Sequence, residues 1–152
     1  MNEEAIVPKR LYFPGVANFY EICAPLSYTL MRVALGLIIV VHGYGKLFSA
    51  DIPHVALNFV KMGWPAPSAL SWLVGFLEFF GGLMLAAGLF TRVVAAMLAL
   101  EMAVIAFLVL WPTWDWGHRG MEYPFLMGIF AFAMALRGGG HYSLDRLVGK
   151  EV

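Results

Sequence analysis

Charged residues make up only 13% of the 152-residue chain, and six ionisable residues fall within or at the edge of its long apolar segments. These residues are Arg32, His42, Lys46, Glu78, Glu101 and Glu122. Ionisable groups inside a bilayer are costly, so they normally face the protein interior, pair with one another and mark functional sites. A histidine near a carboxylate can relay protons, and a lysine or arginine can hold a carbonyl or anionic oxygen. The set predicts an intramembrane site that binds a small molecule or handles protons.

The spacing of these residues supports a shared interior site. His42 and Lys46 are four residues apart, about one helical turn. Arg32 falls on the same helical face as Lys46, and Glu78 lies on a stripe of small residues that includes Gly75 and Gly82. Small residues at this spacing allow helix backbones to approach closely, so both faces should point into a bundle. A second interpretation stays open, in which the same charges form internal salt bridges that fix the helix register.

The apolar segments that must position these residues indicate a membrane protein. Hydrophobic residues make up 61% of the chain, against roughly 45–50% in ordinary soluble domains. We predict an all-α integral membrane fold, a four-transmembrane-helix bundle with short interfacial helices. The predicted spans are Leu26–Phe48, Leu70–Phe90, Val93–Trp111 and Tyr123–Leu136. The fourth has 14 uncharged residues and crosses a bilayer only if its helix starts near Gly120–Glu122.

The boundaries and orientation follow from these spans. Residues 1–25 form an N-terminal interfacial segment that is too broken by Pro14, Glu21 and Pro25 to span, residues 26–147 form the transmembrane domain, and residues 148–152 form a C-terminal tail. Four spans put both termini on one side, which carries more Lys and Arg than the other. The positive-inside rule then predicts cytoplasmic termini. In this topology Lys46 and Glu122 lie at the outer edge and Arg32 lies deepest, in a pocket that opens outward.

Several kinds of site are not expected. Cys23 is the only cysteine, so the chain has no disulfide, thiol redox pair or cysteine metal cage. No Glu-x-x-His pair of the di-iron bundles occurs in a span, and nearby basic residues oppose a cation. We therefore expect no metal site and no intrinsic haem, flavin or iron–sulfur site. Lys+Arg and Asp+Glu are equal in number, 10 of each, and nothing indicates nucleic-acid binding.

Three stretches of the chain resemble the DoxX family of small four-helix membrane proteins. They run from Gly36 to Phe48, from Gly75 to Arg92 and from Gly117 to Leu147, and they carry the patterns H-G-x-x-K-L-F, E-x-x-G-G and G-G-x-x-S-L-D in that order. The resemblance extends from about Leu26 to Leu147. It implies a bacterial or archaeal cytoplasmic (inner) membrane protein in a group that includes subunits linked to thiosulfate:quinone oxidoreduction. Its polar positions correspond to Arg32, His42, Lys46, Glu78 and Glu122.

The residues and the resemblance leave three hypotheses for function. The first is a quinone-associated redox subunit, part of a quinone-dependent oxidoreductase, in which His42 and Lys46 contact the quinone oxygens, Glu78 handles protons and a protein partner supplies electrons. The second is a non-catalytic accessory subunit that docks into a larger membrane complex. The third is a small carrier for an anion or weak acid that binds through Arg32 and Lys46 and works as a homo-oligomer.

Overall fold

The computed structural model describes residues 11–49 and 51–149, and these residues form helices and connecting turns without any β-strand. Three of the helices are long and apolar enough to cross a membrane. The chain is therefore a helical membrane protein with several candidate spans. The predicted ends of the N-terminal segment and the C-terminal tail, residues 1–10 and 150–152, lie outside the described residues.

The first helix, α1, covers Ala17–Phe48 and is preceded by a 3₁₀ turn at Pro14–Val16. It begins at Ala17 rather than at the predicted Leu26, and it continues through Pro25. A proline lacks an N–H group and so removes one helical hydrogen bond, but no other proline or glycine interrupts residues 17–35. The 32 residues of α1 rise about 48 Å, well beyond a hydrocarbon core of about 30 Å.

Helices α3 (Pro67–Ala87) and α4 (Thr91–Val109) form an antiparallel hairpin. The turn between them contains two left-handed residues, Gly88 and Phe90, so the connection precedes the predicted Thr91-Arg92. Each helix includes a π-helical turn, at Leu77–Gly81 in α3 and at Ile105–Val109 in α4. Such π turns occur often at functional sites.

Three further helices complete the described chain: α2 (Ile52–Lys61), α5 (Glu122–Arg137) and α6 (Leu144–Val148). The start of α5 at Glu122 agrees with the predicted start, and Pro124 lies in its first turn, where its missing N–H group is tolerated. Its 16 residues rise about 24 Å. This length falls short of the hydrocarbon core, so α5 is not among the three clear candidate spans.

Helices α1, α3, α4 and α5 pack side by side, with extensive contacts between α1 and α3 and between α4 and α5. The predicted glycine stripes lie at the contact of α1 with α3. A Cβ atom on Gly36 would lie 2.7 Å from the backbone nitrogen of Ala86, and one on Gly43 would lie 2.3 Å from that of Phe79. The two backbones therefore touch along this face. The buried apolar core includes Leu35, Ile39, Leu85, Leu98, Met102, Met127 and Ala131.

Candidate functional site

Lys46 and Glu78 form a buried ion pair where α1 meets the π turn of α3. Lys46 Nζ donates a hydrogen bond to Glu78 Oε2. The Glu78 side chain is only 2% exposed and that of Lys46 is 17% exposed. The close packing of Gly43 against Phe79 brings the two helices within reach of this pair. Both residues were predicted site residues, and the structure joins them directly.

Glu101 of α4 is buried beside this pair and keeps unused hydrogen-bonding capacity. Within the described part of the chain, neither carboxylate oxygen of Glu101 has a hydrogen-bond partner. Helix α4, which carries Glu101, packs against the π turn that carries Glu78. A buried carboxylate without a partner is costly, so Glu101 requires a proton or a donor from a bound molecule. Glu101 is thus the predicted residue that most needs a ligand.

A cavity of about 370 Å³ opens next to the ion pair. Its wall includes His42 and Lys46 of α1, Glu78 of α3 and Tyr123 of α5. The ring of His42 lies at the rim, where it is exposed, and its centroid is 6.3 Å from that of Tyr123. The rest of the wall is mostly apolar and is formed by Met102, Ile105, Leu110, Pro124 and Met127. This is a small site with a polar side and an apolar side, the usual character of a pocket for an organic molecule.

Arg119 also lines the cavity, although it was not among the predicted residues. The loop before α5 folds back on itself, because Gly120 N–H donates to Asp115 O and Met121 N–H donates to Thr113 O. Arg119 has a left-handed backbone with φ 57° in this loop. A Cβ on Gly120 would lie 2.3 Å from Trp114 O, so glycine is required there. The available signal was an arginine followed by glycine just before a candidate span.

Arg32 lies far from the cavity, at the other end of the bundle. It is 14 residues before Lys46 on the same helix, about 21 Å along the axis. Its guanidinium donates to Leu85 O and Ala86 O at the end of α3, each at 2.6 Å, and to Tyr142 O at 2.6 Å. The structure therefore gives Arg32 a structural role in capping the end of α3, where Leu85 O also accepts from the N–H of Gly88.

The segment after α5 holds this end of the bundle together, and Asp145 is its central residue. Asp145 accepts hydrogen bonds from the N–H groups of Phe90 and Thr91 at 2.7 and 2.9 Å, at the start of α4. Tyr28 of α1 donates to Gly138 O at 2.5 Å. The G-G-x-x-S-L-D pattern of the sequence is thus a structural clasp in this chain. We call Arg32, Asp145 and Tyr28 with their backbone partners the clasp.

Glu122 is half-buried in the first turn of α5 and does not line the cavity. Its place in the first turn is favourable, because the N-terminal end of a helix attracts negative charge. The six predicted residues therefore separate into three groups. Four lie at or beside the cavity, Glu122 lies near its edge, and Arg32 lies in the clasp. Among the described residues, no group of three His, Cys, Asp or Glu side chains is placed to hold a metal ion.

The comparison with protein families gives one match. The DoxX family model matches residues 27–111, which include α1 from its eleventh residue, α2, α3 and α4. Six of the cavity residues fall in this stretch, whereas Arg119 and α5 fall outside it. They are His42, Lys46, Glu78, Met102, Ile105 and Leu110. No curated protein and no solved structure is significantly similar to the chain.

Proposed function

The chain belongs to the DoxX family of membrane proteins, and we propose that it is a quinone-associated subunit of a membrane oxidoreductase. The observation that carries this proposal is the buried Lys46–Glu78 ion pair in the wall of the cavity. The carboxylate of Glu101, on helix α4, is buried outside that wall and has no hydrogen-bond partner among the described residues. This arrangement offers both hydrogen-bond donors and acceptors to a head group of moderate size.

The cavity residues suit the two protonation states of such a head group. Lys46 and Arg119 are donors without acceptor capacity, as a carbonyl oxygen requires. Glu78 can accept from a hydroxyl group, and His42 can do either. The apolar wall formed by Met102, Ile105 and Met127 covers the ring face. In this proposal Glu78 and Glu101 take up and release the protons, and a partner subunit supplies or accepts the electrons.

The proposal includes a fourth span and an orientation. Helix α5 covers the cavity from one side and packs closely on α4, so its 16 residues would cross the bilayer with the help of the preceding loop. Four spans place both termini in the cytoplasm of a bacterial or archaeal cell and the cavity near the outer surface. This assignment follows from the uneven distribution of Lys and Arg.

An accessory docking role is the second candidate, and one observation favours it. The first three turns of α1 extend beyond the clasp, with Phe19, Tyr20 and Ile22 exposed at 63%, 47% and 68%. Exposed aromatic residues of this kind are typical of a surface that a partner protein covers. The carrier hypothesis is weakened, because Arg32 is occupied in the clasp and lies outside the cavity.

Mass spectrometry of small molecules retained by the detergent-purified protein tests the proposed function. We expect a quinone in the wild-type sample and its depletion in Glu78→Gln, because the substitution disrupts the ion pair at the cavity. Glu21→Gln is the matched control, since Glu21 lies on the exposed start of α1. An empty wild-type protein that also fails to bind added quinone, while a stoichiometric protein partner co-purifies, would favour the docking role instead.

A further inference from the structure

An apolar groove of about 650 Å³ runs along the surface between α4 and α5. Its floor is formed by small residues, Ala96, Ala99 and Ala103 of α4 and Gly128 of α5. Larger apolar side chains form its walls, namely Leu100, Phe107, Phe125, Ile129, Phe132 and Leu136. The groove lies on the outer face of the two packed helices. It exists because alanine and glycine stand at positions where larger side chains would fill the space.

The groove begins at the polar cavity, because Pro124 lines both of them. From Pro124 to Leu136 it follows α5 for about 18 Å, counting 1.5 Å per residue. The other edges of the cavity are less suited to an apolar chain. The α1–α3 edge is closed by the backbone contact at Gly43 and Phe79, and the loop edge carries the charge of Arg119. The cavity and the apolar groove thus meet at Pro124.

We propose that the ligand of this site is an amphiphile whose polar head lies in the cavity and whose apolar chain lies in the α4–α5 groove. The inference rests on the proposed head-group site and adds the class of molecule and the path of its chain. A ligand of this class reaches the cavity from the lipid, passing between α4 and α5 at Pro124. It does not enter through the glycine stripes, which the structure shows packed against each other.

The groove acts through shape. Lipid tails are as apolar as the groove, so the chain gains little free energy by leaving the bilayer. It must nevertheless find space when the head is bound, and a bulky side chain in the groove removes that space. The expected effect of filling the groove is therefore confined to ligands that carry a chain.

Two quinone probes and three variants test this inference. The probes are a 1,4-benzoquinone with a decyl chain and the same head group with a methyl group in place of the chain. Ala103→Phe and Ala99→Phe fill the groove near the cavity. Ala133→Phe is the matched control, because Ala133 is an exposed alanine of α5 that does not line the groove. Dissociation constants are measured by titration calorimetry at one fixed detergent concentration.

We expect the groove-filling substitutions to weaken binding of the decyl probe about tenfold or more, and to change binding of the methyl probe by less than about twofold. Ala133→Phe should leave both constants unchanged. Retained binding of the methyl probe also reports that each variant is folded, so a general loss of structure cannot produce the expected pattern.

Other outcomes overturn the inference in distinguishable ways. If both probes bind and the groove variants keep full affinity for the decyl probe, the chain leaves by another path and the proposed function still stands. If Ala103→Phe instead only releases a co-purified phospholipid or converts a dimer to a monomer, the groove belongs to a bulk lipid or to a second copy of the chain. If neither probe binds the wild-type protein, the head-group site itself is wrong and both proposals fall.

Discussion

Both ends of the helix bundle bury ionisable residues, but these residues have different hydrogen-bond partners at the two ends. In the clasp, Arg32 and Asp145 are tied to backbone groups at the ends of helices, with five hydrogen bonds of 2.6–2.9 Å between them and those groups. At the cavity, Lys46 and Glu78 are tied to each other, and Glu101 has no hydrogen-bond partner among the described residues.

This difference distinguishes charged residues that stabilise the fold from charged residues that can still bind a ligand or a proton. Helix ends leave carbonyl and N–H groups without partners, and a charged side chain that satisfies several of them stabilises the junction. Arg32 uses three of its five N–H donors in this way, and each oxygen of Asp145 accepts one hydrogen bond. A carboxylate without hydrogen-bond partners does not stabilise the fold in this way. It can still accept a hydrogen bond from a ligand or take up a proton. Burial by itself therefore does not identify a functional residue in this chain.

The largest loss of unfolding free energy is expected from a substitution in the clasp. Arg32→Met removes three hydrogen bonds, so we expect a loss of about 3 kcal/mol or more in unfolding free energy. The carbonyl of Leu85 keeps its bond from the N–H of Gly88. Equilibrium unfolding in mixed detergent micelles measures the loss. Lys61→Met, at an exposed position, is the control and should change stability by less than about 0.5 kcal/mol. A small loss for Arg32→Met would show that the clasp is dispensable.

The second-largest loss of unfolding free energy is expected from a substitution that forces apart two of the helices that form the cavity. Gly43→Ala places a methyl group 2.3 Å from the backbone nitrogen of Phe79, so α1 and α3 must move apart. We expect a loss of about 1–3 kcal/mol and weaker ligand binding, since Lys46 and Glu78 move with their helices. Gly45→Ala is a close control, because its added methyl group meets nothing within 4 Å. Equal stability of the two variants would contradict the close helix contact.

The third effect concerns the ion pair. Lys46→Met and Glu78→Gln should each reduce stability, because each leaves a buried partner unpaired, and the double variant should lose less than the sum. A double-mutant cycle on unfolding free energies should give a coupling of about 1–2 kcal/mol. A coupling near zero would indicate that solvent at the cavity replaces the missing partner.

The smallest effect on stability, and the clearest contrast between the two ends, is expected from the same change at two buried carboxylates. Glu101→Gln should shift the unfolding free energy by less than about 1 kcal/mol, because no hydrogen bond is lost. It should nevertheless weaken binding of the methyl-substituted quinone about tenfold. Asp145→Asn, the matched change in the clasp, should cost about 1.5 kcal/mol or more and leave binding intact. If Glu101→Gln instead reduced stability and Asp145→Asn weakened binding, Glu101 would be the structural residue and Asp145 the residue of the binding site.

The sequence by itself determined the helical membrane class and much of the cavity. Long apolar segments specify helices because a bilayer offers no partner for exposed backbone groups. The glycine stripes were predicted to face the interior of a bundle, and they lie at the contact of α1 with α3. The predicted set contained His42, Lys46 and Glu78, which line the cavity. These features depend on local composition and on the period of a helix, which the sequence carries directly.

Only the tertiary structure decided which charges belong together. Arg32 and Lys46 share a helical face, yet Arg32 contacts the C-terminal end of α3 and Lys46 contacts Glu78 in its middle. These contacts assign Arg32 to the clasp and Lys46 to the cavity. The π turn at Leu77–Gly81 and the groove at Pro124 have no local signature, and the arginine–glycine pair before α5 does not by itself place Arg119 at the cavity. They depend on how separate helices and a folded loop meet. The function of a buried charge is set by those neighbours, because the partners available in three dimensions decide whether its hydrogen bonds are already made.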